Sequence, residues 1–465
     1  MNPQPYPATS VIAAFAAQAE VGQAGPALRE RASAALVDTV AGAIAGRSEP
    51  GVAVGRAVLA DQTSPGPATI WATGAQVNPP VAAFLNGLSG HVHDYDDMTD
   101  PLIGHPSAGL WPTLVALGQA HRVSGAALLD AYAVGYQIDV ALDRALPVGP
   151  HFRQGWHSTS TVGVIAATAA GGRLAGLDST QIAHAIGLAA TTAAGSRENF
   201  GTDTKSLHAA LMAYHAVLAV RLAGAGFTAN PAQLEAPAGY FAVFGQPGDP
   251  ASLGAALHGP WALLSPVDRP LVKPYPSCGS THRPMAAALP LAAQLADRPD
   301  RIEQVTVTVP PGGFIPLIQH RPVTSLQGKF SAEYAVAAAL LDGQVTLDTF
   351  TDRAVNRPAA QALLRKVVLR ESPCPPFGGP QLTTGYATVE VEADGQVLRG
   401  RADAAPELPP TRPVLTAKLA GCLDFVGLDW SAEAIAEQLW SLADQPALGP
   451  WNSLSPERPL PVPTD

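Results

Sequence analysis

The sequence predicts a mainly α protein, a large all-helical domain joined to a smaller α+β domain, and three observations carry that reading. Ala, Leu, Val and Gly recur in helical spacing from Ser10 to about Gly259, with short polar breaks between the runs. After Pro270 the apolar period switches to two, as in Val305-Thr-Val307-Thr-Val309. A chain of 465 residues with 47% hydrophobic content is too long for one ordinary core and rich enough for two.

The elements follow in order. Ser124 stands as a cap before the apolar-periodic run Ala126 to Leu146. The low-charge stretch Gly155 to Gly172 is full of Ser, Thr and Gly and suits a buried helix better than a lipid-facing one. Asp178-Ser-Thr-Gln181 has the form of a capping box opening a helix that runs through Gly195. Small residues in Val162 to Gly172 and Ile186 to Gly195 imply helices packed backbone to backbone. Beyond Pro270, helical patterns at Arg283 to Ala296 and Ala332 to Leu341 accompany the strands, which makes this part α+β. Ala387-Thr-Val389-Glu-Val391-Glu leads through Asp394-Gly395, a hairpin signal, into Val397-Leu-Arg-Gly-Arg. Leu415 to Leu442 is helical again and returns to the first domain, and the Pro-rich tail from Pro446 is expected to be loose.

Composition removes several functions. A net charge of -10 without any Lys/Arg-rich run excludes a nucleic-acid partner. The N-terminus has no basic region before its apolar stretch, and no segment reads as a membrane span, so the expected location is cytoplasmic. Cys278, Cys374 and Cys422 lie too far apart in sequence to suggest a disulfide framework or an iron-sulfur ligand set. His-Glu-x-x-His, Gly-x-Ser-x-Gly, Walker and dinucleotide fingerprints are all missing.

Chemistry concentrates in a few segments. Only 14% of residues are charged, yet His91-Val-His93-Asp94-Tyr95-Asp96-Asp97 and the following Asp100 and His105 crowd together. Lysine is scarce, and two of the lysines, Lys205 and Lys273, sit beside other reactive groups in Gly201-Thr-Asp-Thr-Lys205-Ser-Leu-His208 and Lys273-Pro-Tyr-Pro-Ser-Cys278-Gly-Ser-Thr-His282. A lysine in a dry pocket can hold a carboxylate or donate a proton, which arginine cannot do. Lys366 and Lys418 read as surface residues. His157, ahead of Ser158-Thr-Ser-Thr161, lies near a helix N-terminus, where partial positive charge favours an anion and keeps a histidine neutral. Asp96-Asp97-Met-Thr-Asp100 also has the form of a magnesium-holding acidic motif, but no second motif accompanies it and aromatics are only 6%.

At these residues the chain resembles the MmgE/PrpD family, which includes 2-methylcitrate dehydratase, cis-aconitate decarboxylase and iminodisuccinate epimerase. The resemblance covers nearly the whole length. It rests on His-x-His-Asp-Tyr-Asp-Asp with His105-Pro-Ser, Gly-Trp-His157, Gly201-Thr-x-Thr-Lys205-x-x-His, Lys273-x-x-Pro-Ser-Cys278-x-x-x-His282 and Lys329-Phe-Ser-x-x-Tyr334. It implies an all-helical domain of residues 1–268 completed by 412–465, and an α+β lid of 269–411 with the active site between them. It also implies a homodimer and no metal or organic cofactor.

Carried over position by position, the resemblance puts the catalytic site on Asp94, His105, His157, Lys205, Lys273 and Tyr334. Cys278, His282, Met98, Arg197 and Arg283 fall at substrate-binding positions, with Glu198 and Asn199 beside Arg197. Lys205 and Lys273 would hold carboxylates and stabilise developing charge, His157 or His105 would carry the proton, and Tyr334 would donate from the lid. The expected reaction is proton abstraction beside a carboxylate of a small di- or tricarboxylic acid, with loss of water as in 2-methylcitrate dehydratase. Epimerisation, with two opposed histidines, is the alternative. Met98 and Cys278 stand where similar decarboxylases tend to carry Thr and His, which counts against decarboxylation. A carboxylate-binding protein without turnover is the remaining reading.

Overall fold

The computed structural model describes residues 6–71, 73–245, 251–295, 299–373, 382, 385–451 and 454. Cys374, part of the cysteine reading, lies outside them. The chain builds a helical body from Ala8–Gln18 to Ala251–Leu257, then a smaller sheet-and-helix unit, and ends on the helices Arg412–Phe425 and Ala432–Trp440. Leu415, Leu419, Cys422 and Leu439 of these last helices share one apolar core with Leu36, Val40 and Ile44 of the long helix Gly25–Gly46.

Local sequence explains many of the boundaries. Ser124 accepts the Ala127 N–H and opens Gly125–Ala145, and Asp178 and Gln181 cap each other reciprocally at the start of Ser179–Ala190. That helix stops at Ala190 rather than Gly195, because Gly195 takes φ 132° and turns its carbonyl to the His157 N–H. The stretch 415–442 is likewise two helices, broken at Gly427 with φ 66°.

Close approach at glycine places the helix that leads into the acidic cluster. A Cβ on Gly46 would lie 2.2 Å from the Ser89 carbonyl oxygen, and one on Gly87 would lie 3.0 Å from that of Ala209. Pro79–His91 is thereby wedged between Gly25–Gly46 and Asp203–Gly224, so its C-terminal end meets the first turns of the latter. Among the described residues one helix, Asp203–Gly224, is long and apolar enough to cross a membrane. In this fold it packs against Pro79–His91 and Gly163–Leu174, with Lys205 and His208 buried.

One expectation gains a detail and another needs correction. The helical part carries a minimal ladder, β1 (Ala68–Thr69) with β2 (Gln76–Val77). The tail is not loose throughout, because Leu448, Trp451 and Leu454 are buried and Trp451 stacks on Trp71 at 5.9 Å. Apolar side chains outweigh Pro450 between them here.

In the smaller unit, β3 (Ile302–Val309), β4 (Val367–Glu371), β5 (Ala387–Ala393) and β6 (Gln396–Ala402) form a sheet of order β4-β3-β5-β6. The β3–β4 pair is parallel and the other pairs are antiparallel. Val305, Val307, Val389 and Val391 point into a core shared with the helices Gly279–Leu295 and Ala332–Asp342. Asp394 and Gly395, at φ 51° and 72°, make the predicted hairpin turn between β5 and β6.

Candidate active site

A cavity of about 150 Å³ lies between the helical body and the lid. The body supplies Asp94, Met98, His105, Phe152, His157, Phe200 and Lys205, and the lid supplies Cys278, Ile315 and Phe330. Lys205 and His208 sit three residues apart on Asp203–Gly224, so one helix face presents both.

Asp94 is the hub. It follows the end of Pro79–His91 with φ 52°, a left-handed conformation that Asp tolerates better than most residues. Its Oδ1 accepts from Lys273 Nζ at 2.6 Å and lies 3.1 Å from His105 Nε2 and 3.3 Å from Lys205 Nζ. Its buried Oδ2 has no hydrogen-bond partner. Burial alone would raise the Asp94 pKa, but Lys205 and Lys273 outweigh it and hold the carboxyl well below the usual range.

Lys205 Nζ is buried, faces the cavity and has no hydrogen-bond acceptor. It lies 5.8 Å and 5.6 Å from the ring centres of Phe200 and Phe330. Burial lowers its pKa while Asp94 opposes the shift. Lys273, by contrast, does not line the cavity. Its ammonium donates to the Asp94 carboxylate and to the carbonyls of Asp94 and Ser277, so its three hydrogens are committed.

The histidines cluster, with His157 parallel to His91 and His105 meeting His91 edge-on. His91 Nδ1 donates to Asp96, while the His105 ring packs on His91 at 4.6 Å and that of His157 at 6.1 Å. His105 Nδ1 faces the Asp97 carbonyl at 2.9 Å and Asp96 Oδ2 at 3.2 Å. Burial and then Lys205 push the His105 pKa down, against the pull of Asp96. His157 caps the short helix Ser158–Thr161, and its Nδ1 meets His208 Nδ1 at 3.1 Å, which leaves Nε2 for the cavity. Burial, then Lys205, holds His157 well below its ordinary value, so it is neutral.

The carboxylates of the acidic motif turn to different partners. Asp96 turns to His91 and His105, Asp97 accepts from Ser107 Oγ at 2.6 Å, and Asp100 accepts from the Leu382 N–H at 2.5 Å. Donor atoms of His91, Asp96 and His105 do come within 4.8 Å of one another, but they are hydrogen-bonded among themselves.

The other predicted residues divide. Met98 and Cys278 line the cavity, and burial pushes the Cys278 thiol up to about 11, so it is a neutral wall group. Tyr334 is not at the cavity. Ser331 caps its helix, and Tyr334 points into the lid core, where its hydroxyl donates to the Thr349 carbonyl at 2.5 Å. His282 is buried behind the wall, with Nε2 3.2 Å from the Ser277 carbonyl. Arg283 is buried near Asp100. Arg197 bridges the two sides of the cavity, donating to the carbonyls of Phe152 at 2.6 Å and Ile315 at 3.2 Å. Glu198 and Asn199 share its short turn outside the cavity.

Lys418 is not a surface lysine. Its ammonium is 1% exposed, pairs with Asp38 at 2.6 Å and donates to the carbonyls of Tyr95 and Lys273. Residues 10–252 match the MmgE/PrpD N-terminal domain and 275–442 match the MmgE/PrpD C-terminal domain. The chain belongs to the MmgE/PrpD family. This MmgE/PrpD protein is 30% identical over 351 residues to mouse (Mus musculus) cis-aconitate decarboxylase, covering 72% of this chain and 69% of that protein. Its identity to the human (Homo sapiens) cis-aconitate decarboxylase is 31% over 346 residues, 72% of this chain and 70% of that one. To the Aspergillus terreus protein of the same name it is 25% over 351 residues, 70% of each.

Sequence reasoning left His208, Phe200, Phe330 and Lys418 out of the site. The first three had a signal, because His208 shares a helix face with Lys205, Phe330 adjoins Lys329 and Phe200 adjoins Gly201, which opens the Lys205 motif.

Proposed function

We propose that this MmgE/PrpD protein is a cofactor-independent lyase on a small carboxylic acid, and specifically a hydro-lyase. The observation that carries the reading is the buried ammonium of Lys205, without an acceptor and facing a cavity that also holds His157, His105 and Asp94. Asp94 pairs with this cation at 3.3 Å but leaves the ammonium without a hydrogen-bond acceptor among the described residues, and a substrate carboxylate would supply one.

With a carboxylate on Lys205, charge developing at the adjacent carbon during proton removal is also stabilised by that ammonium. His157, donating Nδ1–H to His208, offers the Nε2 lone pair as base and breaks the C–H bond. His105 in its doubly protonated form, Nδ1–H on the Asp97 carbonyl and Nε2–H beside Asp94, gives the Nε2 proton to the departing hydroxyl, the C–O bond breaks, and the products are an unsaturated acid and water. The unpartnered Asp94 Oδ2 supports a substrate with a hydroxyl to donate. Met98 and Cys278, the two departures from the decarboxylase pattern, both lie on the cavity wall.

Decarboxylation is the second reading, favoured by the names of the relatives above. Proton NMR in D2O with hydroxy acids and cis-aconitate, in the presence of EDTA, tests both. Water loss with deuterium at the carbon beside the carboxylate supports the hydro-lyase; carbon dioxide release from cis-aconitate without hydration would replace it. Inversion without loss of water would make the protein an epimerase.

A further inference from the structure

The buried carboxylates near the cavity are not neutralised alike. Asp38 pairs with Lys418, and Asp94 pairs with Lys273 and Lys205. Asp96 is just as buried, yet among the described residues its ion-pair partners are the imidazoles of His91 and His105. A buried carboxylate so placed is stabilised by a positive charge on one of those rings.

His91 is the poorer holder of that charge. Its Nδ1 donates to Asp96, but its Nε2 is buried without a partner, so a second proton there would have no acceptor. At His105 both ring nitrogens face acceptors. Nδ1 faces the Asp97 carbonyl at 2.9 Å and Asp96 Oδ2 at 3.2 Å, and Nε2 faces Asp94 Oδ1 at 3.1 Å. A neutral ring would point a lone pair at one of these oxygens, whereas an imidazolium donates to all of them. The other charged or titratable groups acting on His105 are Lys205, Lys273, His91 and His157. Both lysines oppose the second proton, and a substrate carboxylate on Lys205 offsets the stronger of the two.

We infer that Asp96 is the positioning residue for the acid: held by His91, its carboxylate keeps Nδ1–H of His105 in place and so leaves Nε2, on the Asp94 side, with a proton to give. This rests on the hydro-lyase reading for the group that receives that proton. Once the departing hydroxyl takes it, the C–O bond breaks, water leaves, and His105 is neutral with Nδ1–H still placed. His157 has gained one proton and His105 has lost one, and exchange with water restores both.

NMR of the full-length protein labelled with nitrogen-15 histidine tests the inference, with His105→Gln to assign the His105 ring. In the wild type at pH 6 both His105 nitrogens should carry protons. In Asp96→Asn the His105 titration should move down by about one to three pH units, the scale of losing a neighbouring opposite charge. Turnover should fall about 10²-fold or more while KM stays within about threefold. A neutral His105 in the wild type at pH 6, or a shift of less than about one unit in Asp96→Asn, would overturn it. If Asp96→Asn does not fold, the wild-type signals decide. If the shift occurs and no acid loses water, the place of Asp96 stands and the hydro-lyase reading fails. If hydroxy acids lose water as fast in Asp96→Asn as in the wild type, the reading stands and the inference falls.

Discussion

On the cavity side of Asp94, Lys205 has no hydrogen-bond acceptor, whereas behind it Lys273 and Lys418 have three each. Lys329 stands between, with the Pro276 carbonyl as its one acceptor at 2.9 Å. All are buried, so burial does not separate them. The difference lies in satisfaction: Lys273 and Lys418 have every proton placed and belong to the frame, whereas Lys205, ion-paired with Asp94 at 3.3 Å, has no hydrogen-bond acceptor among the described residues.

The largest expected effect tests the frame. Lys418→Met leaves Asp38 charged and buried, and the urea midpoint should fall by the equivalent of about 3–5 kcal/mol. Adding Asp38→Asn should recover most of the loss, and failure to recover it would mean that the carbonyl contacts matter more than the ion pair. On the cavity side, Lys205→Met should reduce turnover about 10²–10³-fold, the scale of losing one charge-stabilising donor, while thermal stability holds or rises. A large loss of stability instead would place Lys205 with the frame.

Lys329 sharpens the comparison through pH. Burial lowers its pKa to about 7, with Glu49 opposing, against about 10.4 in an unfolded chain. Between those values the unfolded chain holds a proton that the folded one lacks, so this group makes stability rise with pH, by at most about 1.4 kcal/mol per unit. Urea midpoints at pH 7, 8 and 9 should show a flatter dependence in Lys329→Met and a higher midpoint at pH 7. The smallest effect concerns the base. Because His157 is held well below its ordinary value, kcat/KM should not fall between pH 8 and 6; a tenfold fall would mean that the base titrates in that range.

Legibility in the sequence followed the range of the interaction. The caps at Ser124 and Asp178, the alternation of β3 and β5 and the Asp394-Gly395 turn are local, and they stand where the sequence puts them. Asp94, His105, His157, Lys205, Met98 and Cys278 reach one cavity, because polar groups are scarce enough that a dense segment marks the site. Tyr334, His282 and Arg283 lie on or beside the right motifs but do not line the cavity, since side-chain direction is set by what each helix packs against. Lys418 gave no local sign, because its partner Asp38 is 380 positions away.

That separation has a consequence for how the protein is made. Asp38, Asp94 and Lys273 all leave the ribosome well before Lys418, so the helix that carries Asp38 is made long before the helix that covers and neutralises it. Until the last helices dock, the backbone carbonyls of Tyr95 and Lys273 are not held and the floor of the site is not fixed. A chain ending before residue 418 would lack the cation that pairs with Asp38 and the donor that holds both carbonyls.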